Sequence, residues 1–262
     1  MNNERVATVK RDIIAVGRLL WEKGLSTGLN GNISARVDDE TILLTASKTC
    51  LGLLSEKDLL LANLDGQVLE EGRISSERLM HTEIYKAYPQ VLAIIHTHST
   101  YTNAYFLEHD RLSPRIFESK LYLGEVRGIP QETPSVTDAA PVVAALKDNN
   151  VMVLRRHGVV AVGEGLFDCF LLIQCLEEAV KIDAISRIYA PRTDGARPAV
   201  PDSAAVTAAP HGPDQPAAGP ARAYPLFSAE QMAAIVEIIN QDPKMREMGV
   251  KTAMTMDLAI HL

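Results

Sequence analysis

Several features that would narrow the function at once are missing from this sequence. There is no basic excess: 26 lysines and arginines stand against 33 aspartates and glutamates, a net charge of −7. That balance argues against a general nucleic-acid or anionic-membrane surface, although a small anionic substrate can still bind a local basic or dipolar pocket. No apolar run is long enough to span a bilayer. The opening stretch, MNNERVATVKRD, is charged and lacks the apolar centre of a secretory signal. Cysteine is scarce: Cys50, Cys169 and Cys175 are odd in number, far apart and form no C-x-x-C pair. Reduced thiols in a cytoplasmic protein are the expectation. What the chain does have is 262 residues that are 47% hydrophobic and 23% charged, enough for one sizeable core with an appendage.

The order of local patterns points to an α/β layered domain over residues 1–190. Helical spacing of Val9, Ile13, Ile14, Val16, Leu19 and Leu20 predicts a helix over about 5–23, stopped by Gly24. The glycine-rich turn STGLNGNISARV leads into a strand at 33–37, TILLTA at 41–46 reads as a second strand, and LLLANLDGQVLE reads as a hairpin turning at Asp65-Gly66. SSERLMHTEIYKAY has serines ahead of a helix, with Leu79, Ile84 and Tyr88 near one stripe. VMVLRRHGVVAVG at 151–163 is a strand pair, and 167–190 a long helix. Residues 191–225 then hold eight of the 14 prolines, a linker composition. Residues 226–262 start with FSAEQMAAIVEII, an amphipathic helix with Ser228 and Gln231 as a capping box.

Chemistry enters at VLAIIHTHST, residues 91–100. Val91 to Ile95 reads as a central strand covered on both faces, bounded by Pro89. Alternating side chains place His96 and His98 on one face at its exit, with Thr97 opposite. Two co-facial imidazoles form a natural metal clamp, or else an ordinary pair near a surface loop. His157 in LRRHGVVAVG also ends a short apolar strand, and Gly158 lets backbone pass close by. His109, His211 and His261 are weaker third ligands. His81, one turn after Glu77, is expected to face solvent or to make a structural hydrogen bond.

With these residues in place, the sequence resembles the class II aldolase/adducin family. The matching stretches are LNGNISAR (29–36), LLTASKTCLGLLSEKDL (43–59), GRISSERLMHTEIYKAYPQVLAIIHTHS (72–99) and LRRHGVVAVG (154–163). They occur in the family's order and cover nearly all of residues 5–190. The resemblance implies a three-layer α/β/α sandwich around a mixed or antiparallel sheet, and a cytoplasmic homotetramer with active sites between subunits. It implies one Zn²⁺ per subunit on His96, His98 and His157, as in the family's L-fuculose-phosphate-type aldolases, with Glu77 as a catalytic carboxylate. It also implies a phosphate site at Gly31, Asn32, Ser47, Lys48, Ser75 and Ser76. The chain departs from the family's frequent Thr-Gly or Ser-Gly in having Ser47-Lys48. The two serines precede a helix, and a helix N-terminus is a ready anion site.

Three neutral imidazoles leave zinc with open positions for a carbonyl and an adjacent hydroxyl, and Glu77 is the kind of group that moves a proton on the neighbouring carbon. The expected activity is cleavage of a ketose 1-phosphate to dihydroxyacetone phosphate and an aldehyde. The substrate would be of the L-fuculose, 5-deoxyribulose or 5-methylthioribulose 1-phosphate type. Where those aldolases use a tyrosine from the neighbouring subunit, this chain has Glu118, with Tyr122 close behind. Related methylthioribulose-1-phosphate dehydratases use a glutamate near this point, so dehydration of that sugar is the competing activity. A non-catalytic, adducin-like interaction module is the third reading. The expected partner is a small phosphorylated sugar, with no nucleic acid and no membrane.

Overall fold

The computed structural model describes residues 3–189. The expected linker at 191–225 and the helix and tail at 226–262 lie outside the described residues. Helix α1 (Asn3–Glu22) buries Val9, Ile13, Val16 and Leu20 at helical spacing. Strands β1 (Asn32–Arg36), β2 (Thr41–Thr45) and β3 (Leu59–Asn63) follow as an antiparallel meander. Then come α2 (Arg78–Ala87), β4 (Ala93–Thr97), α3 (Thr100–Glu108) and the two-residue β5 (Arg111–Leu112). Helix α4 (Phe117–Leu123), β6 (Val126–Pro130) and α5 (Ala140–Ala145) lead to the hairpin β7 (Val151–Arg155) and β8 (Gly158–Gly163). The long helix α6 (Leu166–Tyr189) comes last.

The strands make one sheet in the order β3-β2-β1-β4-β8-β7-β6-β5. Pairing is antiparallel throughout except between β6 and β7. Alternate side chains feed two cores. One packs Ile33, Leu43, Ile95 and Val159 under α1 and α6. The other packs Ile42, Leu44, Ile94 and Val160 under α2 and α5. The result is the expected α/β/α sandwich. Strand β4 is fourth in the row, and Ile94 and Ile95 are both fully buried. Each such side chain contributes roughly 1.5–3 kcal/mol, so the register of the histidine-bearing strand is held from both faces. Among the described residues, no helix is long and apolar enough to cross a membrane.

Several local expectations shift. The strand read at 91–95 runs from Ala93 to Thr97, so His96 lies inside it and pairs across β1 and β8. The hairpin turn at Asp65-Gly66 forms, but its second arm is no regular strand: it pairs through an Ala62–Val68 bridge, with Leu69 N–H donating to Leu61 O and Asn63 N–H to Gln67 O. Leu79 is 38% exposed, and the buried stripe of α2 is instead Met80, His81, Ile84 and Tyr85.

Candidate metal centre and anion cavity

The centre is assembled by the β4–β8 pair. Across it, His96 Nδ1 donates to the Val159 carbonyl at 2.9 Å. Its Nε2 is therefore a lone pair, and the ring is held in one orientation. His98 lies one residue past the strand, and its Nε2 is 3.0 Å from His96 Nε2. His157 comes from the tight turn between β7 and β8, not from a strand end, and its Nε2 is 3.1 Å from His96 Nε2. Zinc–nitrogen bonds of about 2.05 Å at tetrahedral angles would space three nitrogens about 3.3 Å apart. A lone pair facing two more ring nitrogens at this spacing fits a shared divalent cation.

Burial pushes His96 well below the ordinary histidine range, with the neighbouring rings adding to the effect. Burial and then His157 push His98 down to about 4, and burial lowers His157. All three stay neutral near pH 7, the form in which imidazole ligates.

Backbone packing and long-range hydrogen bonds hold these rings. A Cβ on Gly158 would run into the Thr97 carbonyl oxygen and lie 2.8 Å from His96 Cε1. Only glycine lets the hairpin close on β4. Glu177 of α6, 3% exposed, caps α3 just after His98: Thr102 N–H and Oγ–H donate to its Oε2, each at 2.8 Å, and Tyr101 N–H donates to Oε1. Asn103 on α3 donates to the His157 carbonyl at 3.1 Å. Neither contact was legible in the sequence, because the partners are more than fifty positions apart.

Glu77 is the N-cap residue of α2. Its carboxyl is buried, 3.9 Å from His157 Nε2, and shares the Val136 N–H between its two oxygens at 3.3 Å. Burial raises its pKa, and the Val136 N–H opposes the rise. The carboxyl is thus poised to hold or release a proton beside the imidazoles. The 131–139 loop that supplies Val136 has no periodic pattern and gave no signal in the sequence.

Gly31, Asn32, Ser47, Lys48, Ser75, Ser76 and Glu77 line one open cavity of about 160 Å³ with His96, His98 and His157. The Ser47 and Ser75 segments meet through an Ala46–Ile74 bridge, with Ser47 N–H donating to Arg73 O and Ser75 N–H to Thr45 O. Gly31 takes φ +93° and lies so close to the His96 carbonyl that a Cβ would sit 2.7 Å from the oxygen. Lys48 adopts φ +64°, a left-handed conformation that costs a non-glycine residue roughly 1–2 kcal/mol. Among the described residues it is the only lysine or arginine lining the cavity.

Glu118 and Tyr122 do not line this cavity. Glu118 is exposed on α4, and Tyr122 is half-buried on the same helix. His109 bonds to the Tyr105 carbonyl, away from the centre. His81 does not face solvent; it is fully buried and makes structural hydrogen bonds to Ser34 and Asn32, the other expectation for it.

Known proteins place this arrangement in context. The family described as Class II Aldolase and Adducin N-terminal domain matches residues 11–184. An L-fuculose phosphate aldolase of Methanocaldococcus jannaschii is 32% identical over 180 residues, 68% of this chain and 96% of that protein. A 3-oxo-tetronate 4-phosphate decarboxylase of Haemophilus influenzae is 30% identical over 66% of this chain and 85% of its own length. A methylthioribulose-1-phosphate dehydratase of Marinobacter nauticus is 41% identical over 96 residues, 36% of this chain and 46% of that one. The crystal structure of L-fuculose-1-phosphate aldolase from Thermus thermophilus superposes with a TM-score of 0.64 at 30% identity, over 70% of this chain and 97% of its own. With the family matched over residues 11–184, two thirds of its length, the chain belongs to the class II aldolase and adducin family.

Proposed function

We propose that this protein is a zinc-dependent lyase that cleaves a ketose 1-phosphate to dihydroxyacetone phosphate and an aldehyde. One observation carries the reading: three neutral imidazoles, a buried carboxyl and a run of N–H and O–H donors meet in a single cavity. A divalent ion held by His96, His98 and His157 would supply a Lewis acid for a carbonyl and its adjacent hydroxyl. The chain's own groups do the rest. Ser75, Ser76 and the first N–H groups of α2 take the phosphate, with Asn32, Ser47 and the Gly31 backbone around it and the Lys48 ammonium at the mouth. Anchoring the phosphate sets the scissile bond beside Glu77. Cleavage leaves the carbon next to the carbonyl one proton short, and Glu77 delivers that proton. In the synthetic direction the carboxylate removes it. A carboxyl whose proton affinity is raised by burial suits a group that must hold a proton and then give it up.

Glu118, or Tyr122 in its place, would complete proton transfer in the cavity of a neighbouring copy within a homotetramer. Support comes from α4, which presents Phe117 and Leu121 to solvent at 88% and 73% exposure, apolar surface suited to an interface. The 96-residue match to a dehydratase favours one alternative, elimination of water from 5-methylthioribulose 1-phosphate with Glu118 as the principal acid–base group. Product analysis of the zinc-loaded protein with several ketose 1-phosphates separates the two. Glu77→Gln should retain metal, lose about 10²–10⁴-fold in turnover and stop exchange of the C3 proton of dihydroxyacetone phosphate with deuterated water. Exchange at the wild-type rate, together with abolished turnover in Glu118→Gln, would replace the aldolase reading by the dehydratase one.

A further inference from the structure

Behind the cavity wall lies a buried chain of polar groups that this mechanism does not use. His81 is fully buried on α2. Its Nδ1 is 2.6 Å from Ser34 Oγ, and Ser34 Oγ is 2.9 Å from the Tyr85 hydroxyl. Its Nε2 contacts Asn32 Oδ1. Asn32 lines the cavity, and its amide nitrogen is neither bonded within the described residues nor sealed off from the cavity.

The direction of these bonds follows from counting protons. Tyr85 is 1% exposed and its hydroxyl has Ser34 as its neighbour. Burial raises its pKa far above the ordinary value, so it keeps its proton. That proton must go to Ser34 Oγ, and Ser34 must then give its own proton to His81 Nδ1. Burial pushes His81 down to about 3, so the ring is neutral. With Nδ1 accepting, the single ring proton is on Nε2 and goes to Asn32 Oδ1. Both amide hydrogens of Asn32 are left for the cavity. Reversing any link strands a hydroxyl proton in the core, and an unsatisfied buried polar group costs about 1–3 kcal/mol. Reversing the last one also turns a carbonyl oxygen toward the ligand.

We propose that the Tyr85–Ser34–His81 chain fixes the orientation of the Asn32 amide, so that the cavity presents N–H donors and selects an anionic end of the substrate. His81 is a positioning residue, acting through Asn32. This rests on the phosphate site proposed above.

The test uses inorganic phosphate as the probe, titrated calorimetrically into the full-length, zinc-loaded protein. Asn32→Ala should weaken phosphate binding about tenfold, in line with the loss of a hydrogen bond to a charged group. His81→Gln should weaken it comparably, yet add less than about twofold when Asn32 is already alanine. Tyr85→Phe removes only the hydroxyl that sets the direction, and it should weaken binding about threefold even if His81→Gln does not fold. In ¹⁵N-histidine-labelled wild-type protein, His81 should show the neutral Nε2–H form from pH 8 down to pH 5. A neutral Nδ1–H form, or additive effects of the Asn32 and His81 changes, would overturn the relay while leaving the phosphate site standing. A wild-type protein that binds no phosphate overturns both.

Discussion

Replacing Gly158 by alanine adds one methyl group at the point where the β7–β8 hairpin crosses β4. The added Cβ would lie 2.8 Å from His96 Cε1 and 3.0 Å from His98 Cδ2, and would run into the Thr97 carbonyl oxygen. Carbon–carbon contacts relax to about 3.5–4.0 Å, so the rings or the hairpin must give way by roughly 0.5–1 Å. Backbone on β4 cannot yield, because both its neighbours pair with it. The displacement therefore falls on His157 and the two rings. Metal sites tolerate only about ±0.2 Å in ligand distance. The expected outcome is a fall in zinc affinity of about 10–100-fold, the size seen when supporting groups around a metal are lost. Overpacking should also cost about 1–3 kcal/mol of stability, lowering Tm by roughly 2–12 °C for a domain of this size. Zinc content at buffered free zinc, with melting followed in the presence and absence of the metal, reads both effects. Gly163→Ala on the same strand is the control, since its nearest neighbour is Cys169 Sγ at 3.3 Å, and it should be milder on both counts. A Gly158→Ala protein with wild-type zinc affinity and Tm would refute the reasoning.

Arg36 is 7% exposed, and its guanidinium donates to the carbonyls of Val91, Asp39 and Tyr85 while lying over the Tyr85 ring. Lysine cannot reproduce that fork, so Arg36→Lys should lose at least about 2 kcal/mol in urea unfolding. His81 is held neutral down to about pH 3, whereas an unfolded histidine takes its proton near 6.5. Protons therefore favour the unfolded chain between those values, and stability should fall with decreasing pH by up to about 1.4 kcal/mol per unit. His81→Gln should make the curve shallower in that window, and an unchanged slope would remove His81 from the account. Ser76→Asp places a carboxylate where the phosphate is proposed to sit, and should raise KM for a phosphorylated substrate by tenfold or more with metal content unchanged. An unaltered KM would put the anion elsewhere.

Much of the scaffold was legible because it is written in short-range periodicity. The apolar face of α1, the strands β1 and β2, the β7–β8 pair and the length of α6 all follow from residues within a turn or two of one another. His96 and His98 could be paired from their two-residue spacing alone, since a strand must return that face to the same side. His157 was a candidate from its place after a short apolar strand, and Ser75 and Ser76 from theirs ahead of a helix; the family resemblance added Gly31, Asn32, Ser47 and Lys48 as proposed phosphate residues, and the structure brings all of them into one cavity with Glu77. Other features depend on contacts between distant positions. The exposure of Leu79 and the burial of His81 were decided by which face of α2 the sheet accepted. Val136 on Glu77, Glu177 on the start of α3 and Asn103 on the His157 carbonyl join residues 54 to 76 positions apart. No local pattern marks such partners, because a buried donor or acceptor is satisfied by whatever group the packed layers bring within about 3 Å. The sequence by itself therefore determined which side chains are candidates for the chemistry. Tertiary packing decided their protonation, their tautomers and the direction in which each one points, because these depend on burial and on hydrogen-bond partners that exist only once the sheet and its two helical layers have closed.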